Sequence, residues 1–310
     1  MLLSIFGFAA GIGTPMQTSI NAEVGRRAGS PFIASLINFI VALSAMLLVT
    51  IIWEHGLHVP FERMSAAPLW AYTGGMFATF FVTCNILLMP RVGSVQTVIF
   101  PTFGQILMGT IIDTFGLFHS AQKDLTFLRI VGIVLVFIGI LIVIMFKSKG
   151  LSQKNASNII PVRNVWIWRF LGLIAGMCMA CQTAANSYLG FAIDSRPFAA
   201  VINLAVGFVI LIFLNIILLK AKKPGIKNGP MPFWIWTGGL IGALYVVGNI
   251  ITAQTVGTGM AVIILLTGQM IGSLLVDQFG LFRSPRRLVS WKEIAGIIVM
   301  VAGAVLFHLF

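Results

Sequence analysis

Apolar positions in this chain run in long unbroken stretches, without the alternation of a half-buried strand. Ile130 to Phe146 and Ile294 to Phe307 hold no charged side chain, and both border further apolar sequence. A membrane-crossing helix needs about 20 mostly apolar residues. Cutting the chain at its polar breaks predicts ten such helices: 2–24, 32–53, 69–89, 93–114, 127–146, 166–189, 198–219, 233–253, 258–279 and 292–310. The breaks read GRRAGSP at 25–31, EHGLHVPFERMSAAP at 54–68 and KKPGIKNGP at 222–230. Strands of about ten residues with alternating polarity, the mark of an outer-membrane barrel, are missing from the pattern. Trp53, Trp70, Trp166, Trp168, Trp234, Trp236 and Trp291 all fall at predicted helix ends and read as an aromatic belt.

The pattern repeats. In the first two helices a shift of 165 pairs Gly7 with Gly172, Gly11 with Gly176, Gln17 with Gln182, Asn21 with Asn186 and Asn38 with Asn203. Further on, a shift of 164 pairs Trp70 with Trp234, Gly74-Gly75 with Gly238-Gly239, Asn85 with Asn249 and Gln105 with Gln269. It also pairs DTFGLF at 113–118 with DQFGLF at 277–282. The expected organisation is a five-helix repeat over 1–146, a linker over 147–165 and a second five-helix repeat over 166–310. Five is odd, so the second repeat must enter the membrane from the opposite side. This gives an all-α polytopic membrane protein of two inverted repeats, a plan used by secondary transporters.

Composition agrees. The chain has 310 residues, 58% hydrophobic and only 9% charged, against roughly 25% charged in a soluble domain. The formal charge of +12 sits in short loops, where it encodes orientation, so no nucleic-acid partner is expected. Sixteen Lys and Arg fall on the side of the loops after helices 1, 3, 5, 7 and 9, and four on the other. That places the first set in the cytoplasm and both termini outside. The first helix has no basic leader and no cleavage pattern, so it reads as retained. Cys84, Cys178 and Cys181 lie in apolar spans and read as buried small hydrophobes. His55, His58, Glu54 and Glu62 share a loop without the geometry of a metal site, and neither metal nor cofactor is expected.

With the repeat in view, the chain resembles the drug/metabolite transporter (DMT) superfamily, whose ten-helix members are fused five-helix inverted repeats. The run GTPMQTSINAEVGRRAGSPFIASLINF is most similar to the YdcZ-type branch of inner-membrane exporters, at Pro15, Gln17, Asn21, Gly25, Arg26, Gly29, Ser30 and Pro31. The second repeat departs: Ala180 stands for the proline, Phe191 for the arginine and AIDSRP for AGSP. The resemblance implies a multi-pass exporter of the bacterial inner membrane, with its substrate unspecified.

Ten carboxamides are the candidate substrate-binding groups: Gln17, Asn21, Asn38, Asn85, Gln105, Gln182, Asn186, Asn203, Asn249 and Gln269. Gln17 and Asn21 share a helix face, as do Gln182 and Asn186. A buried amide without a partner costs about 1–3 kcal/mol, so none should face lipid. They either line a central cavity between the repeats or join helices as polar glue. Pro15 and Pro101, inside helices 1 and 4, are hinges or tolerated kinks. Gly7/Gly11, Gly172/Gly176, Gly238/Gly242 and Gly268/Gly272 are small-xxx-small packing faces. Glu23 is the best-placed group for ion coupling, or it forms a rim ion pair with Arg27. Asp113 and Asp277 should cap the ends of helices 4 and 9.

Clustered nucleophiles and bases are absent from the spans, so an intramembrane enzyme is disfavoured. The expected function is secondary transport of a small organic solute by alternating access. A lipid flippase of the same architecture is the alternative, and the chain could act as a monomer or a homodimer.

Overall fold

Where the chain turns, the repeat is written into its backbone. Gly116 and Gly280 both take φ of 63°, ending their helices in the left-handed region. The aromatic residues that follow, Phe118 and Phe282, also have positive φ (57° and 52°), as do His119 and Arg283 (56° and 63°). Non-glycine residues adopt this conformation rarely and at a cost. Two matching runs of it, 164 positions apart, make one local structure used twice.

The computed structural model describes residues 2–56, 59, 61–122, 124–146, 164–221, 232–256 and 258–309. The helices are α1 (Leu2–Ala28), α2 (Pro31–Trp53), the short α3 (Phe61–Ala66), α4 (Gly74–Val92), α5 (Ser94–Phe115), α6 (Phe127–Met145), α7 (Val165–Ala192), α8 (Arg196–Ala221), α9 (Thr237–Val256), α10 (Thr258–Phe279) and α11 (Trp291–Leu309). Among the described residues, nine spans are long and apolar enough to cross a membrane; α1, with 27 residues, is the tenth long helix.

Several expected boundaries move. Helix α1 continues to Ala28, so Arg26 and Arg27 lie in its last turn and not in a loop, and Glu23 lies one turn before the end. The two arginines there complement the negative end of the helix dipole, and Gly29, at φ 69°, stops the helix. Helix α4 is preceded by a 3-10 turn, Leu69–Thr73, and runs through Pro90 to Val92, where Gly93 breaks it at φ 85°. The stretch read as a loop after α2 holds α3. Arg169, counted among the loop cations, is buried in the second turn of α7. Residues 147–163 of the expected linker, His58 and the loop at 222–231 lie outside the described residues.

Glycine contacts prove the inversion. A Cβ on Gly132 would meet the Gly303 carbonyl at 2.7 Å, and one on Gly139 the Gly296 carbonyl at 2.6 Å. Gly132 and Gly296 are repeat equivalents, as are Gly139 and Gly303, so α6 and α11 occupy the same place in their repeats yet run antiparallel. The equivalent helices α2 and α8 do the same: the Asn215 amide donates to the Phe32 carbonyl at 3.1 Å while Gly207 abuts Phe39.

The repeats also exchange their first helices. Helix α1 packs on α9 and α10 of the second repeat, and α7 packs on α4 and α5 of the first. Both seams are glycine-tight: Gly11 faces Gly268 along α1–α10, and Gly176 sits on the Pro101 backbone along α5–α7. Behind them, Val136, Ile140, Ile297, Met300 and Phe307 join α6 and α11 to α5 in one apolar cluster.

Candidate solute path and its two closures

The ten amides do not converge on one point. On α1 and α2, the Asn38 Oδ1 accepts from Gln17 Nε2 at 3.1 Å and from Asn21 Nδ2 at 2.9 Å. This trio lies against α9, where Gly238 and Gly242 leave room for the Asn21 and Gln17 amides. Of the equivalent residues in the second repeat, Asn186 and Asn203 sit against Gly74 of α4, whose missing Cβ would meet Asn186 Oδ1 at 2.8 Å and Asn203 Oδ1 at 3.0 Å. Here no closed network forms. Gln182 Oε1, Asn186 Oδ1 and Asn203 Oδ1 are all buried without a donor.

Of the remaining four, Gln269 donates to the Tyr245 hydroxyl at 3.1 Å. Asn85 is buried with its Oδ1 unpaired, and Gln105 and Asn249 are half-buried. Inversion explains the separation. Gln17 and Asn21 lie beyond the midpoint of α1, towards its basic end, so their equivalents on α7 lie towards the other end. A small cavity of about 10 Å³ lies elsewhere, among Thr102, Thr267, Met270 and Met300 at the α5–α10–α11 junction, with room for about one water. Pro15 and Pro101 are both buried within unbroken helices, and the Pro101 carbonyl lies against Gly176.

Beyond each amide layer stands a closure built from equivalent positions with different chemistry. At the basic end, Trp234 packs on Phe282 with ring centres 5.8 Å apart. The neighbouring Arg283 reaches Glu23 at 3.3 Å. At the opposite end, Trp70 packs on Phe118 and stacks on His119, each at 5.5 Å, and His119 meets Tyr188 at 5.1 Å. Trp70 is equivalent to Trp234, Phe118 to Phe282, His119 to Arg283 and Tyr188 to Glu23. One geometry is held by an ion pair at one end and by a ring stack at the other. Phe118, His119, Phe282 and Arg283, all at positive φ, are the residues that present these contacts.

Comparison with known proteins fits this construction. The profile of a family described as "Putative inner membrane exporter, YdcZ" matches residues 2–142 and again 167–306. The chain belongs to this family. One relative, "Inner membrane protein YdcZ" of Escherichia coli (strain K12), is 28% identical over 135 residues, which are 43% of this chain and 89% of the relative. That relative is therefore about half as long as this chain. A solved crystal structure is 15% identical with a TM-score of 0.53, covering 100% of this chain and 98% of that one; at this identity it speaks for the fold alone. The chain is thus a multi-pass inner-membrane transporter of an exporter family.

Within this transporter, the acids are structural ties at helix ends. Glu23 is buried and accepts from Arg26, from Arg27 at 2.7 Å and from Arg283. Asp277, expected to cap the end of its own helix, instead caps the start of α5 in the other repeat, accepting from the Ser94 and Val95 amides at 2.8 and 3.4 Å. A carboxylate at a helix N-terminus matches its dipole, and a local sequence reading misses a cap supplied from 183 residues away. Arg287 links Asp277, at 3.1 Å, to Glu293. Burial opposes the Arg287 charge, but Asp277 and then Glu293 outweigh it and lift its pKa above the ordinary arginine value. Glu293 also closes a capping box with Ser290 at the start of α11. Asp113 likewise pairs, with Arg129 at 2.6 Å.

The tryptophans do more than form a belt. Trp70 and Trp234 build the closures, and Trp166 and Trp168 lie under arginines. Sequence reasoning missed the closure pairs, although the repeat register already aligned Glu23 with Tyr188 and Arg283 with His119.

Proposed function

We propose that the chain is a secondary transporter that moves a small organic solute by alternating access, acting as a monomer because both repeats lie in one chain. The observation that carries this reading is the matched pair of closures. Inverted repeats that can adopt each other's conformation must have equivalent contacts at the two membrane faces, one breaking as the other holds. The Glu23–Arg283 and Tyr188–His119 contacts stand in that relation. Both are made here, as a step between inward and outward opening would require. Following the distribution of Lys and Arg, the Glu23 end faces the cytoplasm and both termini face outward.

The solute would meet the amide layers just inside each closure. Gln182, Asn186 and Asn203 present acceptors and need donors, so the favoured solute carries N–H or O–H groups. Gln17, Asn21 and Asn38 would exchange their mutual bonds for solute bonds. Pro15 and Pro101 would serve as the hinges of the crossed helices α1 and α5. Glu23 serves as a gate tie, with no proton step assigned to it.

The test begins with a thermal-shift screen of purified protein against metabolites and cationic drugs, since a ligand of the native state raises its melting temperature. Hits are then measured for counterflow in proteoliposomes. Asn203→Leu and Gln182→Leu should each reduce counterflow at least tenfold while the protein still elutes as a folded species. Unchanged flux in both would remove the amides from the path. An alkaline phosphatase fused at the C-terminus should be active; an inactive fusion would reverse the orientation.

A further inference from the structure

Two arginines at the basic end lack an acidic partner. Arg169, only 8% exposed, donates from Nε to Gln96 Oε1 at 3.2 Å. Its guanidinium lies 4.6 Å from the Trp166 ring centre and 5.7 Å from that of Phe100. Arg91 lies 4.0 Å over Trp168 and donates one N–H to the Leu87 carbonyl. Among the described residues neither forms an ion pair. Among the described residues the terminal nitrogens of Arg169 have no acceptor, and they are not sealed in.

The two cations stand at one level on packed helices. Gly74 sits against Asn186 and Leu88 against Gly172. Helices α4 and α7 are therefore antiparallel, in a register that sets Arg91 level with Arg169. A third donor stands beside them. Gln96 is 2% exposed and its Nε2 has no partner. Its orientation is forced, because arginine only donates, so the oxygen must face Arg169 and the nitrogen is left over. A buried unpaired donor beside an unpaired guanidinium is costly, and an acceptor anion would relieve both. Asp277, which meets the chain at Ser94 and Val95 just before Gln96, is already taken by those two amides and by Arg287.

The surroundings choose the anion. Trp166, Ile167 and Phe170 beside Arg169 are each more than 60% exposed, so the seam opens onto the apolar belt. The equivalent seam of α1 with α9 and α10 carries Ser4, Thr255 and Met260 at the positions of Arg169, Arg91 and Gln96, so the feature is not a by-product of the repeat.

We propose that the α4–α5–α7 seam binds the phosphate of an anionic phospholipid headgroup, held by Arg91, Arg169 and the Gln96 Nε2, with the acyl chains along Trp166 and Phe170. Basic pockets between membrane helices on the cytoplasmic side are a recurrent setting for such headgroups. The site clamps α7 of one repeat to α4 and α5 of the other, so its occupancy would stabilise the assembled transporter.

The experiment is thermal unfolding of delipidated protein in detergent, titrated with dioleoylphosphatidylglycerol, dioleoylphosphatidylcholine or inorganic phosphate. Phosphatidylglycerol should raise the melting temperature, and the other two should not. Arg91→Gln and Arg169→Gln should each raise the half-effective phosphatidylglycerol concentration about tenfold or more, one charge-assisted contact being lost in each. Gln96→Glu supplies the missing charge from the protein. It should raise the lipid-free melting temperature and abolish the lipid response, which a merely structural glutamine would not do. Equal shifts from phosphatidylglycerol and phosphatidylcholine, or an undiminished response in Arg91→Gln and Gln96→Glu, would overturn the site. A full response to inorganic phosphate alone would overturn the lipid assignment.

Discussion

Replacing Gly176 with Ala asks whether the crossed seams are as tight as their glycines make them. A Cβ there would lie 2.6 Å from both the carbonyl carbon and Cα of Pro101, and nearer still to its oxygen. Carbon atoms pack at about 3.5–4.0 Å, so α5 and α7 would have to separate by about 1 Å. These are backbone atoms, and no rotamer change relieves the clash. Overpacking of this kind costs about 1–3 kcal/mol. Gly109, also in α5, supplies the control, because a Cβ there meets nothing within 4 Å. Both substitutions gain the same helix propensity, about 1 kcal/mol, so their difference isolates the contact. At about 2 °C per kcal/mol for a chain of this size, the melting temperature of Gly176→Ala in detergent should fall about 2–6 °C below that of Gly109→Ala. Gly11→Ala, which drives a Cβ into the Leu265 carbonyl of α10, should resemble Gly176→Ala. Equal melting temperatures for Gly109→Ala and Gly176→Ala would show that the seam yields freely, and the glycine argument for close crossing would be wrong.

The ion-pair ties at the two ends separate by burial. Asp277→Asn leaves Arg287 with Glu293 but removes the charge that caps α5, and should cost about 2–4 kcal/mol in thermal unfolding. Asp194→Asn breaks only a pair with Arg63 whose aspartate side chain is 80% exposed, and should cost less than about 1 kcal/mol; equal losses would refute the assignment of Asp277. Glu23→Gln should open the closure it shares with Arg283. In a background lacking Cys84, Cys178 and Cys181, maleimide labelling of Ser19→Cys, one turn inside Glu23, should then accelerate several-fold. An unchanged labelling rate would show that Glu23 does not hold the gate.

Much of this architecture was legible because the repeat is an arithmetic property of the chain. The shift that pairs Gly132 with Gly296 and Gly139 with Gly303 implies an inverted partner helix, and the glycine contacts of α6 with α11 realise it. What local pattern could not supply were contacts between repeats. Nothing around Asp277 announces that it caps α5, and Phe118, His119, Phe282 and Arg283 are not residues that signal a left-handed backbone. The amide depths could have been read: Gln17 and Asn21 lie past the middle of α1, and inversion sends Gln182 and Asn186 towards the other face.

That placement has an energetic consequence for the proposed cycle. When the Tyr188 closure opens, a solute finds three amide oxygens with no bond to break. When the Glu23 closure opens, the solute must displace the two bonds accepted by Asn38, at about 1 kcal/mol each. A carrier without an energy source cannot bias equilibrium by this means, but its apparent affinity on the two faces can differ. The half-saturating concentration should be lower on the Tyr188 side by about thirtyfold, and Asn38→Ala, which removes the competing acceptor, should bring the two sides together.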